Sequence, residues 1–346
     1  MASESALLSL LSIVSLTSFF TFLLIQKFSQ NFFGGALLDT DFTKPQAFHD
    51  VPISRCGGLA AIISLLVFYL FYSLMFEKTL TEYISLSITF FVLGFLDDIK
   101  FKINPNYRLI LMFIALIIFI SFFSVNLVGI DLIFLSDWLK NQIFLKIFLL
   151  LCFLFVINGA NLIDGFNGLL AIHILIINLI ILFINLNNNN TVIATNITGQ
   201  IIVLFAFLLY NFPKAKIFFG DSGSYLFGSL TAYNIIETNN LNPEVSSFFY
   251  CILLFYLFFE VFFSFFRKLY FKRSPFKPDR YHLHMLSYGF FHKSKMFKDC
   301  NYLNSIIINT IFLALILPAI FFRENGLICK YWFFSLLLTY ILFYFS

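Results

Sequence analysis

"IIVLFAFLLYNFPKAKIFFGDSGSYLFGSL", residues 201–230, decides how the chain is read. An apolar run ends at Asn211, two lysines follow, and Asp221, flanked by Gly220 and Ser222, opens a second apolar stretch. The charged turn is short and both flanks are long and greasy. That is the pattern of two membrane spans joined by a polar loop.

The rest of the chain agrees. Of 346 residues 60% are hydrophobic, 53 are Phe and only 12% are charged, with a mean hydropathy of +0.91. This composition excludes an ordinary soluble domain. A bilayer-spanning helix needs about 20 apolar residues. Runs near 5–26, 57–76, 80–96, 109–126, 144–160, 169–186, 191–210, 222–236, 247–266, 303–322 and 328–345 meet or approach that length, predicting about eleven transmembrane helices. Continuous apolar runs lack the in/out alternation of a barrel strand. The fold class is therefore an all-α polytopic membrane protein, with residues 1–346 as a single integral membrane domain. The first run follows "MASES", which has no basic n-region, so it is expected to be a retained helix. The five cysteines show no metal-ligand spacing, and "NNNN" at 187–190 reads as a short loop.

Lys and Arg are enriched in cytoplasmic loops. Alternate loops hold 17 of the chain's 22 basic residues, so these loops are expected to face the cytoplasm. On the same side fall Asp39, Asp41, Asp50, Asp97, Asp98, Asp164, Asp221, Asp279 and Asp299, several of them abutting helix ends. The chemistry is expected on that face.

Five polar constellations carry it. "GFLDDIK" sets Asp97 and Asp98 side by side at the end of the third span; such a pair either binds a cation, abstracts a proton or is solvated punctuation. "NGANLIDGFNGL" (158–169) spaces Asn158, Asn161, Asp164 and Asn167 three apart, which suits a metal, a nucleotide or a sugar, although Asn and Gly also mark plain turns. "NFPKAKIFFGDSGS" (211–224) supplies Asn211, two lysines and Asp221 where a helix begins; its amides could face phosphate oxygens, or Asp221 could simply cap it. "SPFKPDRYHLHML" (274–286) offers Arg280, His282 and His284 to an anionic diphosphate, or its H-x-H to a transition metal. "KPQAFHDVPISRCGG" (44–58) adds His49 and Arg55. Within the ninth span Glu260 is expected to pair with Arg267, seven residues on. His173 reads as an interhelical hydrogen-bonder.

In this order the motifs resemble those of the polyprenyl-phosphate N-acetylhexosamine-1-phosphate transferases, glycosyl transferase family 4, over about residues 38–290. The resemblance implies a Mg²⁺-dependent enzyme, with Mn²⁺ as a substitute ion. It would move N-acetylhexosamine-1-phosphate from a UDP-N-acetyl sugar to undecaprenyl phosphate, releasing UMP, at the cytoplasmic face of a bacterial inner membrane. By similarity Asp221 and Asn161 would hold the metal, and Asp97 and Asp98 would engage the lipid phosphate, one of them as base. Asn158, Asp164, Asn167, Asn211, Arg108, Arg280, His282, His284, His49 and Arg55 would contact substrate. Homodimers are known among relatives, and no nucleic-acid partner is expected. Met285 stands where many relatives have a further His, Asn167 where the MraY type has a second Asp, and the MraY histidine run is absent. These departures point to the WecA-like branch, which starts O-antigen, capsule or teichoic-type polymers, with the MraY type as the alternative within the family. A transporter, the alternative of another class, would place charges near mid-membrane and show internal repeats; here the charges cluster at one interface.

Overall fold

The computed structural model describes residues 2–40, 51–101, 103–274, 279–294 and 300–345. His49, Asp41, Asp50 and Asp299 lie outside the described residues. Among the described residues eleven helices of at least 18 residues occupy the eleven predicted spans: α1 (Ala2–Phe28), α2 (Gly57–Phe76), α3 (Thr81–Asp98), α4 (Pro105–Phe122), α6 (Gln142–Ile163), α7 (Leu169–Asn187), α8 (Thr191–Asn211), α9 (Gly220–Leu241), α10 (Ser247–Tyr270), α12 (Cys300–Phe321) and α13 (Gly326–Phe345). Two shorter helices, α5 (Ile133–Leu139) and α11 (Leu283–Ser294), are additions the apolar runs did not announce. Among the described residues nine of the eleven long helices are apolar enough to cross a membrane. The others are α3, which carries Glu82, Asp97 and Asp98, and α9, which is rich in Ser, Thr and Asn.

Helix starts follow local chemistry. Asn104, with Pro105 behind it, caps α4 by accepting from Asn106 N at 3.2 Å; Asn141 caps α6 and Ser246 caps α10 in the same way.

The polar helix α9 can exist inside the bilayer because it is wrapped by the others: 18 of its 22 residues are buried, chiefly against α3 and α6. Small residues permit the approach. Gly94 of α3 lies so close to α9 that a Cβ there would sit 2.3 Å from the Asp221 carbonyl oxygen. The polar side chains of α9 pair inside the bundle, as Asn234 does by donating to Gln200 Oε1 at 2.7 Å. His173 of α7 meets Asn309 Oδ1 at 3.2 Å through Nδ1, the interhelical bond its sequence position suggested.

At one end of the bundle the α7–α8 loop is held down, since Asn188 and Asn190 both donate to Asn242 Oδ1 (2.6 and 3.0 Å). At the other end the chain between α1 and α2 forms a two-stranded antiparallel pair, β1 (Leu38–Asp39) and β2 (Ile53–Ser54), to which Ile217 adds beside Ser54. That end also carries the C-termini of α3, α6 and α8 and the N-termini of α2, α4, α7 and α9, so the polar motifs meet there.

Candidate active site

The start of α9 is built around a carboxylate from another helix. Gly220 enters with φ +75°, a left-handed turn, and a Cβ at that position would fall 2.6 Å from Asp98 Oδ2. The turn lets Asp98 accept from Asp221 N (3.0 Å), Ser222 N (2.9 Å) and Ser222 Oγ (2.6 Å). Asp98 therefore satisfies the orphan amides and the positive dipole end of α9 from α3. With its carboxylate buried, Asp98 holds the position the sequence offered to a substrate phosphate.

Its neighbour Asp97 is turned differently. It is bound by Arg108 Nη1, and the same nitrogen donates to Asp221 Oδ2 at 3.2 Å. Asn161 donates to Asp221 Oδ1 at 3.1 Å and to Ser224 Oγ at 3.1 Å. On the far side of Asp98, Arg55 makes a two-nitrogen contact to Asp39 Oδ2 (2.8 and 3.0 Å) and lies 3.9 Å from Asp98 Oδ1. Burial works to lower the Arg55 pKa, but Asp221, Asp39 and Asp98 outweigh it and hold the guanidinium more firmly protonated than usual.

Between these groups lies a cavity of about 100 Å³ lined by residues that include Asn161, Asp164, Asn167, Asn211 and Asp221. Asp164, just past the end of α6, has its carboxyl pushed up to about 8 by burial and by the nearby Asp221 and Asp98, against the opposing pull of Arg55. Asn211 works as a clamp: it accepts from Gly168 N (2.6 Å) and donates to Ile217 O (2.9 Å). Asn167 donates through its amide to Pro213 O at 2.9 Å. Asp39, placed by sequence on this face without a role, also lines the cavity, as do Phe166, Phe218 and Asn301, which the sequence did not single out. Asn301 accepts from Asn167 N at 2.8 Å, a contact across 134 residues that no local pattern signals.

Other predicted positions lie elsewhere. Asn158 turns back to its own helix, donating to Leu154 O. Arg280 is exposed. His282 and His284 are buried and do not line the cavity. His282 Nδ1 meets Glu260 Oε2 at 3.1 Å, and Glu260 Oε1 accepts from Leu283 N at 2.9 Å. This corrects the expected Glu260–Arg267 pair: Arg267 grips Asp279 instead, at 2.9 and 3.1 Å. The start of α11 brings a closer partner to Glu260 than helical spacing does. His284 has its pKa lowered by burial, against the pull of Glu260, and its ring meets Phe166 edge-on at 5.9 Å.

The donor set suits Mg²⁺. Asp221 offers carboxylate oxygens at the edge of the cavity, and Asn161, which here turns its amide nitrogen to Asp221 Oδ1, would offer its oxygen to an ion with the amide turned over. Among the described residues no three His, Cys, Asp or Glu side chains form a closed cage. Mg²⁺ typically uses one or two carboxylates and completes its shell with water and substrate phosphates.

Fold and site together define a polytopic membrane protein with a charged cavity where its helices end. The model of glycosyl transferase family 4 matches residues 80–239. The chain is similar to the undecaprenyl-phosphate alpha-N-acetylglucosaminyl 1-phosphate transferase of Thermotoga maritima, 30% identical over 254 residues, covering 70% of this chain and 74% of that one. It is also similar to the phospho-N-acetylmuramoyl-pentapeptide-transferase of Dictyoglomus turgidum (32% over 243 residues; 66% and 76%) and to a probable undecaprenyl-phosphate N-acetylglucosaminyl 1-phosphate transferase of Bacillus subtilis (27% over 257 residues; 71% and 69%). The chain belongs to glycosyl transferase family 4.

Proposed function

We propose that the protein transfers N-acetylhexosamine-1-phosphate from a UDP-sugar to undecaprenyl phosphate, at the cytoplasmic face of a bacterial inner membrane. An oxygen of the lipid phosphate attacks the sugar-bearing phosphorus of the diphosphate, UMP leaves, and a lipid diphospho-sugar remains. The observation that carries this reading is that Asn161 and Asp221, which line one cavity at helix ends, are tied through Arg108 to Asp97. A lipid headgroup and a soluble nucleotide can both reach that depth. The basic residues at this end support a cytoplasmic orientation.

Phosphoryl transfer needs alignment and charge neutralisation more than covalent participation by the protein. Asp221 and Asn161 would hold Mg²⁺, which would neutralise the diphosphate and its developing charge. Asp97 and Arg108 would engage the acceptor phosphate, and Asp97 would be the one of the two adjacent aspartates to take a proton, since Asp98 already accepts three hydrogen bonds from the start of α9. Asp98 acts through the start of α9, keeping Asp221 in position. Asp164 and Asn167 line the nucleotide side.

The sugar is GlcNAc or a modified relative, and the product starts O-antigen or a similar envelope polymer. The departures from the MraY pattern, Asn167 in place of a second Asp and the missing histidine run, favour this over the MraY type. The similarity to the Dictyoglomus turgidum relative keeps the phospho-MurNAc-pentapeptide reaction as the second reading. The deciding assay is UMP release by the purified protein with undecaprenyl phosphate, Mg²⁺ and a panel of UDP-sugars that includes UDP-MurNAc-pentapeptide. Release with a UDP-N-acetylhexosamine, abolished by EDTA, is expected. Release with the pentapeptide donor alone would select the second reading, and no release from folded protein would overturn both.

A further inference from the structure

Arg108 breaks a local rule. It sits in the first turn of α4, at the helix's positive end, where a cation is disfavoured and where Asn104 already supplies the cap. The compensation comes from other helices. A single nitrogen, Nη1, donates to Asp97 Oδ2 at the end of α3 and to Asp221 Oδ2 at the start of α9, the latter at 3.2 Å. The guanidinium lies 5.7 Å from the centre of the Tyr225 ring, and Asn161 binds the other oxygen of Asp221. A guanidinium usually spreads its donors over a carboxylate pair in a fork. Here two carboxylate oxygens from separate helices, one of them from the cavity-lining Asp221, converge on one cationic atom, as they would on a small divalent ion.

We propose that Arg108 is an exchangeable counter-ion, which holds Asp97 and Asp221 together before metal binds, yields Asp221 to the divalent cation and retains Asp97. This rests on the reading of Asp221 as a metal ligand. Two carboxylates this close repel without a cation between them, and Arg108 supplies that charge. A placeholder on a long, jointed side chain can withdraw, and its released N–H donors then serve an anionic oxygen of the phosphate monoester.

Two measurements on detergent-purified full-length protein test this. Modification of Arg108 by phenylglyoxal, followed by peptide mass spectrometry on the wild type, is expected to speed up about fivefold when saturating Mn²⁺ is added, because a charge-assisted contact has been released. Mn²⁺ titration followed by electron paramagnetic resonance is expected to show about tenfold tighter binding in Arg108→Gln, by loss of the competing cation, and no binding at this site in Asp221→Asn. An unchanged modification rate would overturn the exchange, even with tighter binding in Arg108→Gln, since that combination describes a fixed neighbouring cation. Equal Mn²⁺ affinity in wild type and Arg108→Gln would also overturn it and leave the metal site standing. Equal binding in wild type and Asp221→Asn would instead remove the metal site on which the proposal rests.

Discussion

Ser222 binds Asp98 twice, through its amide at 2.9 Å and its hydroxyl at 2.6 Å, so the C-terminal end of α3 is locked to the N-terminal end of α9 by a single buried carboxylate. The lock also fixes Asp221, whose own amide donates to the other oxygen of Asp98 at 3.0 Å. Of the two adjacent aspartates one is thus a joint between helices, and the other faces Arg108.

Removing the joint should cost stability. Asp98→Ala leaves two α9 amides and a hydroxyl buried without their acceptor, a loss of about 3 kcal/mol. A lower thermal midpoint by fluorescence-detected size exclusion is expected, with Asp98→Asn, which keeps one acceptor oxygen, falling between. An unshifted midpoint in the alanine variant would mean that α9 does not depend on the cap.

Asp221→Asn separates function from folding. The amide keeps the size of the side chain but loses the charge, so UMP release should fall by at least about a hundredfold in excess Mg²⁺. The elution profile and thermal midpoint should stay near wild type. Turnover within a few fold of wild type would take Asp221 out of metal binding.

Helix proximity makes a further prediction at Gly94. The added methyl of Gly94→Ala would meet the Asp221 carbonyl oxygen at 2.3 Å, pushing α3 away from α9. Overpacking of this kind costs about 1–3 kcal/mol, and transferase activity should fall with it. Gly289→Ala, where nothing lies within 4 Å of the new carbon, serves as the control and should behave as wild type. Equal behaviour of the two variants would refute the close α3–α9 contact.

The buried Glu260–His282 pair, 3.1 Å apart, should be energetically coupled. Glu260→Gln and His282→Gln are each expected to destabilise by about 3 kcal/mol. The double variant should lose clearly less than the sum, because the second change removes a group already stranded by the first. Strict additivity in thermal or denaturant unfolding would show that the two side chains do not act as a pair.

The extent of legibility differs by residue. The eleven spans were readable because apolar length is a property of each segment alone. α9 was readable as a span despite its Ser, Thr and Asn, but the reason it tolerates them, burial among α3, α6 and other helices, was not. Glu260 shows how local spacing misleads: Arg267 lies at a helical repeat, yet the partner is His282, just before α11. Asp39 falls by sequence on the face expected to carry the chemistry, but only the β1–β2 pairing brings it to Arg55.

By itself, then, the sequence determined the membrane architecture, the clustering of polar motifs at one end and the candidates Asp97, Asp98, Asn161, Asp164 and Asp221. Hydropathy and motif order run along the chain and need no knowledge of what touches what. Only the tertiary structure decided that Asp98 caps α9, that Arg108 joins Asp97 to Asp221, and that His282 and His284 turn inward to Glu260. Those contacts depend on which helix ends meet and how closely, and that is set by side-chain packing between segments up to 124 residues apart.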